Sequence, residues 1–460
     1  MKLKNILVLF LLGVIPAIQS CTKKLEALKP QQSIDASGAF TNASDVDAAV
    51  IGAYSILAGG ALYGTNLLML ADLQAAEGYL SWRGTFQGQR QVSLKNMTRD
   101  NSEALRTWVA AYRAINMANI ILEATGVVKD ADLKDQYEGE ALFIRGIMHF
   151  ELVRYFAKPW DATVNNDHIG VVIKTKASLG EETVPARSNV KAVYDQVIAD
   201  LTAAIAKLPD TRDGIRADKN VARAFLARVY MQKRDYVNAR VMANLVIASG
   251  NYSMNDDILE AFRDDNSDEV IWEIEQDVQN NAGTANDGMA TFYASLPGIG
   301  RADVRVEANF VATAYPAGDL RKTSWYYIGT GARPGNTYSA KWTSFSQNLP
   351  IIRIAEMYLI RAETNLRIGL PYTGDSPAND LAKVRNLARI NVAPIAAPTI
   401  ADVTNERFLE LAFEGVRIHD IKRLQLSTGT FAWNSDLLVF PIPAREVEAS
   451  QNVITQNPGY

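Results

Sequence analysis

Ala224-Phe225-Leu226-Ala227-Arg228-Val229-Tyr230, then Arg234-Asp235-Tyr236-Val237-Asn238-Ala239 and Ala243, sets small residues at helical spacing on two successive segments. Small residues there let two antiparallel helices pack closely, which is the tetratricopeptide pattern. Leu226, Ala227 and Tyr230 fit the first helix; Tyr236, Ala239 and Ala243 fit the second. A single such unit cannot bury both of its faces, so other helix pairs must stack on it.

The flanking sequence supplies those pairs. Asn189 to Leu208 carries Val193, Val197, Leu201 and Ile205 on one helical face and is closed by Pro209. Leu133 to Phe156 carries a stripe of Leu142, Phe143, Ile147, Phe150 and Val153 and stops before Pro159. Glu103 to Glu123 aligns Trp108, Tyr112, Ile115 and Asn119. Asp45 to Leu57 is a shorter amphipathic helix with Asn42 or Ser44 as its cap. Downstream, helical patterns run from Ile351 to Arg367, from Leu381 to Ile390 and from Val403 to Phe413. Between these two blocks, residues 251–347 lose the long amphipathic period and gain Gly, Asn, Asp and aromatics. Val270-Ile271-Trp272-Glu273-Ile274 reads as a strand there, and Trp325 to Ile328 and Ser339 to Trp342 as short strands or loop edges. The tail, with Phe440-Pro441-Ile442-Pro443, reads as extended. The fold class is mostly α, a tetratricopeptide-like helical superhelix with a loop-rich α/β insertion.

The N-terminus is a separate unit. Lys2 and Lys4 precede an apolar run from Ile6 to Ile18, which matches a secretory signal and is too short to span a bilayer. Ile18-Gln19-Ser20-Cys21 resembles a bacterial lipobox, which implies acylation of Cys21 and cleavage before it. Cys21 is the one cysteine in 460 residues, so the fold has no internal disulfide. Removing residues 1–20 takes away Lys2 and Lys4, leaving 45 basic against 51 acidic residues, net −6. That balance gives no electrostatic footprint for nucleic acid. Hydrophobic content of 48% over such a length supports a large core.

Two kinds of chemistry compete for the remaining signals. Glu406, Glu410 and Glu414 lie four apart on one helical face. Paired carboxylates serve glycoside hydrolysis, but helical spacing also suits ion pairing with Arg407, Arg417 and Arg361. His149, His168 and His419 have no metal-ligand spacing, and no metal or cofactor is expected. Gly329-Thr330-Gly331-Ala332-Arg333-Pro334-Gly335 lacks the Gly-Lys-Ser/Thr ending of a phosphate loop and reads as a turn. Aromatics outside the helical stripes gather at Tyr79 to Phe86 and in the insertion, at Phe292, Tyr293, Trp325, Tyr326, Tyr327, Tyr338 and Trp342. Flat rings stack on sugar faces while neighbouring Asn, Asp and Arg bind hydroxyls; the alternative is that they pack a small core of the insertion.

Taken together, several motifs resemble the SusD/RagB family of nutrient-binding outer-membrane lipoproteins. They include Trp108-x3-Tyr112-x2-Ile115-x2-Ala118-Asn119 and Glu140-Ala141-x-Phe143-x-Arg145-Gly146-x2-His149-Phe150-x-Leu152-Val153-Arg154. Ile354-Ala355-Glu356-Met357-Tyr358-Leu359-Ile360-Arg361-Ala362-Glu363 is the most recognisable. Asn405-Glu406-Arg407-x2-Glu410-x2-Phe413-Glu414-Gly415-x-Arg417-x2-Asp420-x-Lys422-Arg423 is nearly as specific. The ending Gln456-Asn457-Pro458-Gly459-Tyr460 agrees. Ala157-Lys158-Pro159 departs from the family's Gly-rich step.

The resemblance implies a non-catalytic lipoprotein on the outer membrane, facing the cell exterior through its lipid on Cys21. It implies pairing with a SusC-like TonB-dependent transporter and capture of an oligosaccharide, or in some members a peptide. The expected organisation is a signal peptide over 1–20, a lipidated tether over 21–40, and a helical region over 41–250. A ligand-binding insertion follows over 251–347, then a C-terminal helical region over 348–460. The candidate ligand residues are Trp82, Arg83, Tyr293, Trp325 and Tyr327. The competing reading is a scaffold for the transporter that touches no ligand. Solvent-facing Trp82 and Trp325 on one face would favour binding, and burial of both would favour the scaffold.

Overall fold

Short polar residues start the long helices. Asn42 caps α1 (Ala43–Ala58): its side chain accepts from the Ser44 and Asp45 amides while Asp45 reaches back to the Asn42 amide, a reciprocal capping box. The structure, a computed structural model, describes residues 39–178, 184–210 and 214–460. Cys21, the signal segment and nearly all of the tether lie outside the described residues. After α1 come α2 (Asn66–Gln74), α3 (Gln87–Leu94), α4 (Ser102–Ala124) and α5 (Ala131–Phe156). Next are α6 (Val190–Lys207), α7 (Lys219–Gln232) and α8 (Tyr236–Ala248). Asn101, Asp130, Asn189, Asp218 and Asp235 cap α4 to α8 in turn, each accepting from an amide in the first turn.

These helices stack in sequence, α4 on α5, α5 on α6, α6 on α7 and α7 on α8. Ala239, Ala243 and Val246 of α8 meet Ala224, Ala227 and Leu226 of α7 within one buried core, as the tetratricopeptide spacing requires. The stack resumes with α9 (Ile354–Ile368), which packs on α8, then α10 (Pro377–Val384), α11 (Ile400–Glu410) and α12 (Arg417–Arg423).

Residues 251–347 are built on short strands. β1 (Leu80–Trp82) pairs antiparallel with β3 (Val304–Val306) in the register Leu80 to Val306, Ser81 to Arg305 and Trp82 to Val304. β2 (Val270–Ile274) pairs antiparallel with β6 (Leu349–Arg353), so one ladder closes the neck of the insertion. β4 (Tyr326–Ile328) and β5 (Thr337–Ser339) form a hairpin whose turn is the glycine-rich run, with the Gly329 amide donating to Asn336 O at 2.9 Å. A Cβ on Gly331 would stand 2.2 Å from Leu296 O, so the turn docks there through bare backbone.

The insertion does not keep a core of its own. Trp272 on β2 drives its ring between Tyr63, Phe143 of α5 and Phe225 of α7. Its centroid distances are 5.5, 5.5 and 5.6 Å, each in edge-on geometry. Such pairs add about 0.5–1.5 kcal/mol each beyond their buried area. The indole N–H donates to Ile215 O at 2.8 Å. Trp325 and Trp342 join the same continuous core as the helices.

Several boundaries differ in detail from those expectations. Ile351 to Arg353 belongs to β6, and the helix starts at Ile354. Leu381 to Ile390 is two short helices, Pro377–Val384 and Leu387–Ile390, broken at Arg385. The strand expected at Ser339 to Trp342 lies two residues earlier, at β5.

Candidate functional site

Glu406 and Glu410 are on α11, with Glu414 just past its end, and all three are buried. Glu410 accepts from Arg389 at 2.9 Å, Arg321 at 3.1 Å and Arg353 at 3.3 Å. Glu414 accepts from Arg353 and from Lys341, each at 2.7 Å, and Glu406 pairs with Arg321 and Arg385. The row is an internal ion network with no face toward a substrate. The row is ion-paired, but not with Arg407, Arg417 or Arg361. Arg407 pairs instead with Glu356 and Asp420, Arg361 pairs with Asp380, and the Arg417 guanidinium lies 3.7 Å over the Phe408 ring. The partners of the carboxylate row, Arg321, Lys341, Arg353, Arg385 and Arg389, all lie outside its helix, so no helical spacing reports them.

The sequence-predicted aromatics are mostly interior. Trp325 is 0% exposed; its N–H donates to Ile258 O at 3.0 Å and the Lys341 ammonium sits 3.8 Å from its ring centroid. Tyr293 is fully buried, edge-on to Phe413 at 6.1 Å. Trp82 is 8% exposed and packs on Phe292 at 5.9 Å. Tyr327 is half-buried, its hydroxyl accepting from the Ser295 amide at 2.8 Å. The rings of Trp325 and Tyr293, expected to contact ligand, are both buried: Tyr293 packs in the core, and Trp325 packs there under the Lys341 ammonium. The exposure of Trp82 and Trp325 on one face, which would have favoured binding, is not found.

Arg83 is different. It is exposed at the end of β1, and the structure gathers other groups around it. The Arg83 amide donates to Asp303 O at 2.6 Å, which ties the segment after β1 to the start of β3. Phe86, 37% exposed, meets Phe292 edge-on at 6.2 Å, and the Arg301 guanidinium lies 4.3 Å over its ring. Arg90 on α3 donates to Gly84 O at 3.0 Å. Asp303 is buried between Arg301 at 2.9 Å and Arg333 at 3.7 Å. Burial pushes its carboxyl up from the usual value, against the pull of those two guanidiniums. A Cβ on Gly84 would fall 2.5 Å from the Trp82 ring and 2.7 Å from the Asp303 carboxyl carbon, so only glycine lets the chain cross between them. Arg305 of β3 pairs with Glu307 at 3.2 Å and reaches Asn336 at 3.3 Å.

The result is a surface edge with one accessible ring, Phe86, and a fan of guanidiniums from residues 83, 90, 301, 305 and 333. Phe86 lies in a segment the sequence marked as aromatic. Arg90, Arg301 and Arg333 carried no linear signal, because the β1–β3 pairing and the β4–β5 turn bring them together. Elsewhere a cleft of about 630 Å3 lies between α1 and residues 273–287, with Tyr54, Glu275, Gln276 and Asn281 on its walls.

Two family models match this chain. One, described as starch-binding and associating with the outer membrane, matches residues 42–231; the other, the SusD family, matches residues 304–438. The chain belongs to the SusD/RagB family. Among its SusD relatives, SusD-like protein P2 of Formosa agariphila is 25% identical, with 92% of this chain and 93% of that protein aligned. The starch-binding protein SusD of Bacteroides thetaiotaomicron is 24% identical over 75% of this chain and 76% of its own. The SusD fold is shared with a solved SusD superfamily protein of B. thetaiotaomicron, at TM-score 0.80 and 23% identity, covering 91% of this chain and all of that one. It is shared too with the surface glycan-binding protein A of Bacteroides fluxus, at TM-score 0.75 and 20% identity, covering 91% and 99%.

Proposed function

We propose that the protein is a lipid-anchored outer-membrane surface protein that binds nutrient oligosaccharide and passes it to a SusC-like TonB-dependent transporter. The observation that carries this reading is the match of its helical body to a family described as starch-binding and associating with the outer membrane. The Phe86 edge supports it at the level of chemistry, since an exposed ring beside fixed hydrogen-bond donors suits a sugar. The anchor is Cys21, and no described helix is long and apolar enough to cross a membrane. The protein acts by binding, and its buried Glu406–Glu414 row serves stability. The scaffold reading draws on one specific observation, the burial of Trp82 and Trp325.

Calorimetric titration of the mature protein against a panel of neutral and acidic oligosaccharides separates the two. Saccharide binding that falls by roughly tenfold in Phe86→Ala supports capture at this edge, as expected for losing an aromatic contact of about 1.4 kcal/mol. Silence across the panel, with the transporter still co-purifying through the intact lipoprotein, would establish the scaffold instead.

A further inference from the structure

We propose that the ligand of the β1–β3 edge is an anionic oligosaccharide, its uronate carboxylates or sulfate esters held by Arg83, Arg90, Arg301 and Arg333 beside the Phe86 ring. This rests on the glycan-binding reading above and narrows it to a ligand class.

The argument begins with donors and acceptors. A sugar hydroxyl both donates and accepts, so a site for neutral sugar mixes carboxylates or amides with its donors. A guanidinium only donates. At this edge the carboxylates are already occupied: Asp303 is buried between Arg301 and Arg333, and Glu307 is paired with Arg305. What remains for a ligand is a row of N–H donors, and their complement is a group rich in acceptor oxygens.

Charge points the same way. The chain carries 51 acidic against 47 basic residues, yet this edge collects five arginines against two carboxylates. All five are arginine, whose planar fork fits carboxylate and sulfate oxygens in pairs, where lysine offers a point charge. They come from four places in the chain, so no single solvated helix face accounts for them.

The row is also held in place. Arg90 is fixed on Gly84 O at 3.0 Å, Arg301 on Asp303 at 2.9 Å and over Phe86 at 4.3 Å, and Arg305 on Asn336 at 3.3 Å. Each of these three side chains keeps part of its surface in solvent. Ordering these side chains beforehand lowers the entropy lost on binding.

The test is titration of the mature protein with matched pairs: tetragalacturonate against its methyl ester, and chondroitin sulfate tetrasaccharide against its desulfated form with the carboxylates left free. Maltohexaose and an acidic oligo-glutamate complete the set. At least one charged saccharide is expected to bind tenfold or more tighter than its masked partner, with affinity falling as salt rises. Which pair responds assigns carboxylate or sulfate. Arg83→Ala should weaken that binding about tenfold, as for one charge-assisted hydrogen bond, without moving the unfolding midpoint, and Arg333→Ala should weaken it by a similar factor. Arg83→Glu should weaken it further. If masked saccharides or maltohexaose bind as tightly as the charged forms, the anionic inference fails and glycan binding stands. If no saccharide binds, or only oligo-glutamate does, both fail.

Discussion

Glu410→Ala is expected to destabilise the protein by about 5 kcal/mol, the upper end of the cost of breaking a buried ion pair. The carboxylate is fully buried and faces three guanidiniums, those of Arg321, Arg353 and Arg389. Removing it leaves those cations with fewer counter-charges in a medium that solvates them poorly. Arginine cannot shed its proton to relieve this. Arg321 keeps Asp319 and Glu406, and Arg353 keeps Glu269 and Glu414, but Arg389 keeps only Glu269 at 3.5 Å among its ion pairs. The total stability of a domain is of the order of 5–15 kcal/mol, so little folded protein should remain under conditions that spare the wild type. Glu410→Gln retains the shape and should lose less. Chemical unfolding midpoints of the three proteins measure this. An alanine variant within about 1 kcal/mol of wild type would mean that the network contributes nothing net.

The same network sets an acid limit. Burial pushes the Glu410 carboxyl up, but Arg389, Arg353 and Arg321 together hold it well below its usual value. Glu356 behaves alike: burial opposes, and Arg228 and Arg407 bring it down to about 2. A carboxylate depressed in the folded state contributes stability above its unfolded value near 4.5, and that contribution is lost as pH falls through the folded value.

Asp72→Asn is expected to act in the opposite sense and to stabilise the protein, by about 4 kcal/mol at pH 7. Asp72 is on α2, fully buried, and burial pushes its carboxyl up to about 8. The Gly415 amide at 3.3 Å lowers it and the Glu414 charge raises it, both less than burial does. The folded state thus holds a proton that the unfolded chain releases near pH 4. Between pH 4 and 8 the native state binds more protons than the unfolded one, so stability falls by about 1.4 kcal/mol per pH unit on account of this residue. Asparagine has no such cost. The gain of Asp72→Asn over wild type should be small at pH 4, grow to pH 8 and level off beyond it. Unfolding curves of both proteins at pH 5 and pH 8 provide the check; a constant offset between them would show that Asp72 is ionised in the fold.

Asp72 also marks where the linear signal stopped. All nine residues of α2 are buried, so the helix has no polar face and therefore no 3.6-residue period to detect. Its contacts are long-range: Tyr155 donates to Leu67 O at 2.9 Å, and the Gly415 Cα lies so close that a Cβ there would be 2.6 Å from the Leu68 Cα. Gly415 sits at φ +73°, and Phe413 at φ +68°, which ends α11 at Glu410 rather than at Phe413. Ile351 to Arg353 looked helical because a short apolar run fits helix and strand equally. Pairing with β2 decides for strand.

Helices α1 and α4 to α8, by contrast, were legible residue by residue. Their start signals are side chains bonding amides two or three positions on, and their faces repeat every three or four residues. Those are local forces, written within one turn of chain, and they suffice for the tetratricopeptide stack. The fate of the aromatics and arginines was not local. Trp325 and Tyr293 are as aromatic in the sequence as Phe86, but core volume takes the first two and leaves the third at the surface. The Arg83 amide reaches Asp303 O because β1 pairs with a strand more than two hundred residues away, and the Asp303 carboxylate there binds the guanidiniums of Arg301 and Arg333. The helical stack follows from short-range periodicity and capping, whereas the candidate site follows from strand register and competition for burial, which exist only once the chain has closed on itself.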